Sequence, residues 1–212
     1  MEEGDLKAKV IEAIGASKER KFLESVELAV NLKDINLTDP KNRINEEVIL
    51  PHGRGRAVKV AAICSGEMAL KAKTAADLVV QVEELEELAN DKITAKRIAR
   101  DHEFFVAEAP LMPVIGKRLG VYLGPRGKMP RPLPPGSDPA PVIENLRRVV
   151  RVRTKDRPTF HVPVGTRDMP PEELARNIDT VLKRLETKLE RGMLNVRSIY
   201  VKTTMGPAIR LV

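Results

Sequence analysis

Aromatic residues are almost missing from this 212-residue chain, which has no Trp, two Tyr and four Phe. Single-strand binding by successive base stacking needs a platform of rings, so six scattered rings argue against that mode. Cysteine occurs once, at Cys64, which excludes an internal disulfide and any zinc module built on cysteine. His52, His102 and His161 are far apart, with no HxxxH or HExxH spacing, so no metal site and no metal cofactor are expected. No stretch approaches the ~18 apolar residues of a membrane span; the longest, Val58 to Cys64, is interrupted by Lys59. The start, Met1-Glu2-Glu3-Gly4-Asp5, has neither a basic nor an apolar leader segment. The expectation is an intracellular, soluble protein with no membrane partner.

Positive charge is plentiful. The chain carries 37 Lys plus Arg against 30 Asp plus Glu, a net charge of +7 and a pI near 9.6, which points to a polyanionic partner. Residues 1–53 hold 8 basic and 11 acidic groups, residues 54–155 hold 19 and 12, and residues 156–212 hold 10 and 7. On this division the outer segments cancel and the excess lies in the middle. Two runs dominate it. One holds Lys117, Arg118, Arg126, Lys128 and Arg131 with no acid between them. The other holds Arg147, Arg148, Arg151, Arg153, Lys155 and Arg157 against Asp156 alone. Such runs are either solvated faces or anion contacts.

Periodicity supplies the elements. Leu6, Val10, Ala13 and Ile14 have helical spacing. Ser25–Leu32 alternates as a half-buried strand, and strands are expected near 47–50, 58–63, 77–80, 104–107 and 159–164. Helices are expected at 82–90, near Ile93–Ala99, and over 142–150. The Gly116–Pro130 segment reads as a turn-rich surface. Leu174, Ile178, Val181, Leu182, Leu185 and Leu189 form a long amphipathic stripe opened by Pro170-Pro171 and capped by Gly192. Asn195–Lys202 alternates as a last long strand. The β-α-β-α alternation in the middle predicts an open α/β sheet of Rossmann-like type. The fold class is therefore α/β in two domains. A split α+β terminal domain (1–53 and 156–212) carries an inserted Rossmann-like domain (54–155), with crossings at Gly53 and Arg157 acting as a hinge.

Catalytic chemistry finds no support. The Gly116, Gly120, Gly124 and Gly127 spacing matches neither a P-loop nor GxGxxG, so a nucleotide-dependent enzyme is the disfavoured alternative. Cys64 reads as a small core residue, His161 as structural, and Glu83, Glu84, Glu86 and Glu87 as a solvated helix face. The segment Lys202-Thr-Thr-Met-Gly-Pro207 reads either as a polar hairpin turn or as a hydrogen-bonding edge for folded RNA.

Ser198-Ile-Tyr-Val-Lys-Thr-Thr-Met-Gly-Pro207 resembles the C-terminal signature of the ribosomal protein L-one family, the large-subunit stalk protein beside the tRNA exit site. Leu-Gly-Pro-Arg-Gly-x-Met-Pro at Leu123–Pro130 resembles that family's second-domain signature. Phe22–Glu27, Leu50–Gly53 and Thr159–Gly165 also match in order and spacing. The Thr159–Arg167 wording is archaeal or eukaryotic rather than bacterial. The resemblance implies a non-enzymatic, cytoplasmic protein of the large subunit. Its terminal domain would bind rRNA through Phe22, Glu27, Ser198, Thr204, Met205 and Gly206, with Lys21 and Lys202 as adjacent phosphate contacts. It also implies contact with exit-site tRNA and repression through its own mRNA. The chain is expected to be monomeric off the ribosome. Because the terminal domain is neutral on this division, a modest salt dependence is expected of its rRNA contact. The basic runs are left for tRNA, other rRNA or the interdomain cleft.

Overall fold

The computed structural model describes residues 3–39, 42–154 and 157–212. Pro40 and Lys41, and Lys155 and Asp156 at the expected second domain boundary, lie outside the described residues. In chain order the elements are α1 (Glu3–Gly15), β1 (Ser25–Leu32), β2 (Asn45–Ile49), β3 (Val60–Ile63), α2 (Gly66–Ala72), β4 (Leu78–Val80), α3 (Val82–Asn90), α4 (Lys92–Asp101), β5 (Phe104–Glu108), α5 (Met112–Arg118), α6 (Gly120–Leu123), β6 (Arg131–Leu133), α7 (Ala140–Arg147), β7 (Val149–Arg153), β8 (Thr159–Thr166), α8 (Pro171–Lys188), β9 (Val196–Thr203) and β10 (Ile209–Arg210). The chain is a mixed α/β protein. Its contacts divide it into two compact units: Met1–Arg56 with Arg148–Val212, and Ala57–Arg147.

In the first unit, β10-β9-β1-β8 form an antiparallel sheet. Alternation puts Val26, Leu28 and Val30 on one face of β1. There they meet Ile199 and Val201 of β9, Phe160, Val162 and Val164 of β8, and the buried stripes Leu6-Val10-Ala13 of α1 and Leu174-Ile178-Val181-Leu185 of α8. Each buried Val, Leu, Ile or Phe among them contributes about 1.5–3 kcal/mol, so the two helices are held by the face they cover. α8 starts at Pro171, where its proline lacks only a donor that would be orphaned anyway. It ends at Lys188 and not at the expected Gly192 cap; Gly192 (φ +54) lies in a short 3-10 turn beyond.

Asn177 is fully buried in α8. Its amide oxygen accepts the His52 N–H (3.2 Å), and its Nδ2 donates to Gly53 O (2.9 Å) and Val164 O (2.8 Å). Gly53 (φ +68), expected at a crossing, is therefore tied inside the first unit. Gly55 (φ +69) follows it, and a Cβ there would run into Thr166 Oγ1 and Met169 Sδ. Only glycine satisfies both the backbone and the space.

The second boundary also differs from expectation. Helical spacing was carried through Val142–Val150, but the helix stops at Arg147. The β-branched Val149, Val150 and Val152 go into β7, which pairs antiparallel with β2 from Asn45↔Arg153 to Ile49↔Val149. The second boundary thus moves four cations, Arg148, Arg151, Arg153 and Lys155, to the first unit, and the first boundary, after Arg56, moves two more, Arg54 and Arg56. That unit then carries 24 basic and 18 acidic residues (+6), and Ala57–Arg147 carries 13 and 12 (+1). The concentration of charge in the middle was a product of the boundary. The exposed Arg157, expected at the second crossing, lies inside the first unit.

The second unit is a parallel sheet in the order β4-β3-β5-β6. Its strands Val60–Ile63 and Phe104–Ala107 are buried throughout, as expected for a sheet covered on both faces. The first half of the Gly116–Pro130 segment, to Leu123, is largely helical, and the turn expected there is confined to Gly124–Gly127, just before Lys128. Ile115, Leu119 and Leu123 recur every four residues, all three are buried, and they seat α5 and α6 on the core. Asp91 caps α4 by accepting the Ile93 and Thr94 N–H groups.

Candidate nucleic-acid interface

Antiparallel pairing brings the start of β1 and the end of β9 together. The segments just outside them, residues 17–24 and 204–206, are thereby neighbours. Thr204 extends the ladder past the strand: its N–H donates to Ser25 O (3.0 Å) and its Oγ1 accepts the Ser25 N–H (3.0 Å). Between these segments lies Glu24, 1% exposed. Its Oε2 accepts from Ser17 Oγ (2.7 Å) and faces Arg167 Nη1 (3.4 Å), and its Oε1 accepts the Met205 N–H (2.9 Å). Thr203 Oγ1 closes the group by donating to Ser17 Oγ (3.0 Å). Arg167 also donates to Lys18 O and Ser17 O, and its own N–H to Glu24 O.

Burial alone would raise the Glu24 pKa. The Ser17 hydroxyl, the Met205 N–H, the Thr203 hydroxyl and the Arg167 charge outweigh it, so the carboxyl is held below its ordinary value. A charged residue from before β1 thus fixes the turn after β9. Gly206 belongs to the same arrangement, since a Cβ there would collide with Thr203 Oγ1 and meet Ser17 Cβ at 3.1 Å.

What this ionic core presents outward is apolar. Phe22 is 51% exposed, Leu23 43% and Met205 60%. An open groove of about 540 Å³ runs over residues 19–24, Arg167 and Asp168. Lys21 stands exposed on its rim, as does Arg20, and neither has an ion-pair partner among the described residues. Three large apolar side chains on two adjoining segments, beside a rim that mixes Arg20 and Lys21 with Glu19 and Asp168, are the composition of a binding surface rather than of solvated loops.

The expected site residues fall into two groups. Lys21, Phe22, Thr204, Met205 and Gly206 surround the Glu24 arrangement. Glu27, Ser198 and Lys202 lie along the open face of the sheet, where Glu27 is opposite Lys202. Lys202 Nζ donates to Thr204 O (2.9 Å), bridging the groups. Ser198 is buried (7% exposed), and its Oγ accepts from Asn31 Nδ2 (2.9 Å). Sequence reasoning missed Glu24, Arg167, Ser17 and Thr203, because nothing in a sequence distinguishes a buried glutamate from an exposed one before the strands are paired. It also read His161 as structural, whereas the ring is exposed.

The second expected basic surface divides between exposed cations, Lys117, Arg118 and Arg126, and two that are half-buried, Lys128 and Arg131. Arg118 Nη2 pairs with Glu86 (3.1 Å), Arg126 Nη1 donates to Tyr122 O (2.9 Å), and Arg131 is half-buried at the start of β6. Lys128 Nζ donates to Ala99 O (2.9 Å), His102 O (2.7 Å) and Arg100 O (3.4 Å), closing the C-terminus of α4. Lys117 and Arg126 are exposed without an ion pair among the described residues. Lys128→Met is expected to lower stability in a urea titration by about 1–2 kcal/mol, the scale of hydrogen bonds to a charged donor, and to leave RNA affinity unchanged. A loss of affinity without a loss of stability would return Lys128 to the ligand-facing surface.

The crevice where a doubly wound sheet receives phosphates lies between β3 and β5, where strand order reverses. There Glu108 Oε2 takes both the Ser65 Oγ–H (2.6 Å) and the Ser65 N–H (3.3 Å). A carboxylate holds the donors a phosphate would need, which counts against nucleotide chemistry. Cys64 beside it is buried, and burial followed by the Glu108 charge pushes its thiol up to about 11, leaving it a core residue.

The chain has a family and relatives among known proteins. Residues 14–207 match the model of the ribosomal protein L1p/L10e family. The chain is similar to the large ribosomal subunit protein uL1 of Thermoplasma acidophilum, 55% identical over 207 residues that cover 98% of this chain and 95% of that protein. It is similar to that of Picrophilus torridus, 55% over 195 residues, covering 92% and 91%. It is also similar to that of Methanocella arvoryzae, 52% over 203 residues, covering 95% of each.

Proposed function

The chain belongs to the ribosomal protein L1p/L10e family, and we propose that it binds a folded site on large-subunit rRNA through the surface around Glu24. It is a structural protein of the cytoplasmic large ribosomal subunit and not an enzyme. The observation that carries the binding site is the buried Glu24 carboxylate, which holds Met205 outward beside Phe22 and Lys21. The exposed Phe22 and Met205 offer flat apolar contact to a ribose or base face. Glu27 offers an acceptor to 2′-hydroxyls or amino groups. In this reading Met1–Arg56 with Arg148–Val212 is the rRNA-binding domain, and Ala57–Arg147 is the mobile part of a stalk that meets exit-site tRNA and assists its release. The same surface serves repression when a similar RNA structure occurs in the protein's own mRNA. The protein is monomeric off the ribosome.

A chemical footprint of the full chain on purified archaeal large-subunit rRNA tests the reading. One compact protected site is expected. Met205→Asp is expected to weaken binding by fivefold or more (~1 kcal/mol) without lowering the urea midpoint, because Met205 bonds through its backbone and its side chain faces water. Met205 is a cleaner probe than Thr204, whose hydroxyl already serves the fold. Diffuse protection, or wild-type affinity in Met205→Asp, would overturn the assignment.

A further inference from the structure

The sheet of the first unit buries one face under α1 and α8, and its other face is composed quite differently. Register places three rows of side chains across it. Lys202, Glu27 and Pro163 form the row nearest Met205. Arg210, Tyr200, Ala29 and His161 form the next. Ser198, Asn31 and Thr159 form the third, joined by hydrogen bonds from Asn31 Nδ2 to Ser198 Oγ (2.9 Å) and from Thr159 Oγ1 to Asn31 Oδ1 (2.9 Å).

Two rings, Tyr200 and His161, flank one methyl group, Ala29, across three adjacent strands. Their Cα atoms are about 9–10 Å apart, twice the spacing of neighbouring strands. Neither ring has a hydrogen-bond partner among the described residues. Ala29 is 9% exposed although it sits on the uncovered face, so it is the floor of a slot between two taller neighbours.

We propose that this slot takes an unpaired base of the bound RNA, stacked against Tyr200 and His161 over Ala29. The inference rests on the RNA-binding reading above and adds to it a mode of contact that the low aromatic count argued against. The count excludes a run of stacked bases; it does not exclude one, because one base needs only two rings placed by register. The occupant follows from the chemistry of the face. The three rows hold no Leu, Ile, Val or Met for a protein partner to cover. Lys202 and Arg210 stand beside the slot for phosphates, in a unit of net +6. Asn31, Ser198 and Thr159 supply groups that read a base edge or a 2′-hydroxyl. Through Lys202 the face is continuous with the Thr204–Met205 turn, so one RNA can occupy both.

The chain has no Trp and only Tyr122 and Tyr200, so Tyr122→Phe leaves Tyr200 as the sole tyrosine emitter. In that background, purified archaeal large-subunit rRNA is expected to quench the emission saturably. In the full chain, Tyr200→Ala and His161→Ala are each expected to weaken rRNA binding by about fivefold or more. Tyr200→Phe is expected to retain it, and Ala29→Leu to abolish the quench by filling the slot. If rRNA binds and Met205→Asp weakens it, while Tyr200→Ala and Ala29→Leu change nothing, the slot is overturned and the site around Glu24 stands. A wild-type chain that does not bind rRNA overturns the underlying reading and the slot with it. A dimer dissolved by Ala29→Leu would show that a second copy occupies the face, and would overturn the base slot as well.

Discussion

Glu24→Ala is expected to destabilise the first unit by about 3 kcal/mol, read as a lower urea midpoint. That is the low end of the cost of breaking a buried pair by removing one partner, because Arg167 is 24% exposed and keeps part of its hydration. The deletion strands the Ser17 hydroxyl, frees the Met205 N–H and leaves the Arg167 guanidinium with only carbonyl partners on this side. Glu24→Gln is the milder change. It keeps an acceptor for Met205 but turns a donor toward Arg167. The pH dependence has a definite sign. The folded-state pKa of Glu24 is held below its ordinary value of 4.5, so its contribution is fully present above that value and is lost as pH falls through the lower, folded value. Glu46, held low chiefly by hydrogen bonds from Arg184 and then Lys188, adds a similar acid limb in the same direction. The wild-type stability curve should therefore fall on acidification below about pH 4.5, and the curve of Glu24→Gln should fall less. Equal midpoints and parallel acid limbs would show that the carboxylate organises nothing.

Much of the fold was legible because the pattern of burial writes itself into the sequence as period. β1 runs over Ser25–Leu32 as its alternation predicts, and α3 over Val82–Asn90 as its leucines predict. The α8 stripe is the face that packs on the sheet. Misreadings arose where two periods were compatible with the same few residues. Val149 and Val150 continue a helical count from Val142, but three valines in four residues favour a strand, and strand β2 was there to pair with it. In Gly116–Pro130 the glycines rightly mark the turn at Gly124–Gly127, but they drew attention from the helix before it, which Ile115, Leu119 and Leu123 signal at a spacing of four.

The candidate site was legible only as segments. Sequence similarity marked Phe22–Glu27 and Ser198–Gly206 separately, and the structure supplies the reason they act together. Antiparallel register between β1 and β9 makes neighbours of residues nearly 180 positions apart. The partners that hold the turn, Ser17 and Arg167, come from two further segments, so no local window contains the arrangement. The same holds for Tyr200, Ala29 and His161, which become a row only when three strands are in register.

Raising monovalent salt from 50 to 200 mM is expected to weaken rRNA binding steeply, by roughly 10³–10⁵ if six to ten phosphates are neutralised. A neutral terminal domain would have given a shallow dependence, with the steep one belonging to the middle of the chain. Assigning β7 to the first unit reverses this, since that unit carries +6 and Ala57–Arg147 only +1. The net positive charge and the exposed apolar side chains around Met205 then lie on one body, and a single docking event is expected to use both. Arg20→Ala and Lys21→Ala, at exposed cations on the groove rim, should each lower the magnitude of the log–log slope by about 0.7–0.9. Lys117→Ala, at an exposed cation of the second unit, should leave it unchanged. A slope that moves with Lys117 and not with Arg20 or Lys21 would put the phosphate contacts back on the second unit, and the Glu24 surface would then have to bind RNA by shape and hydrogen bonds alone.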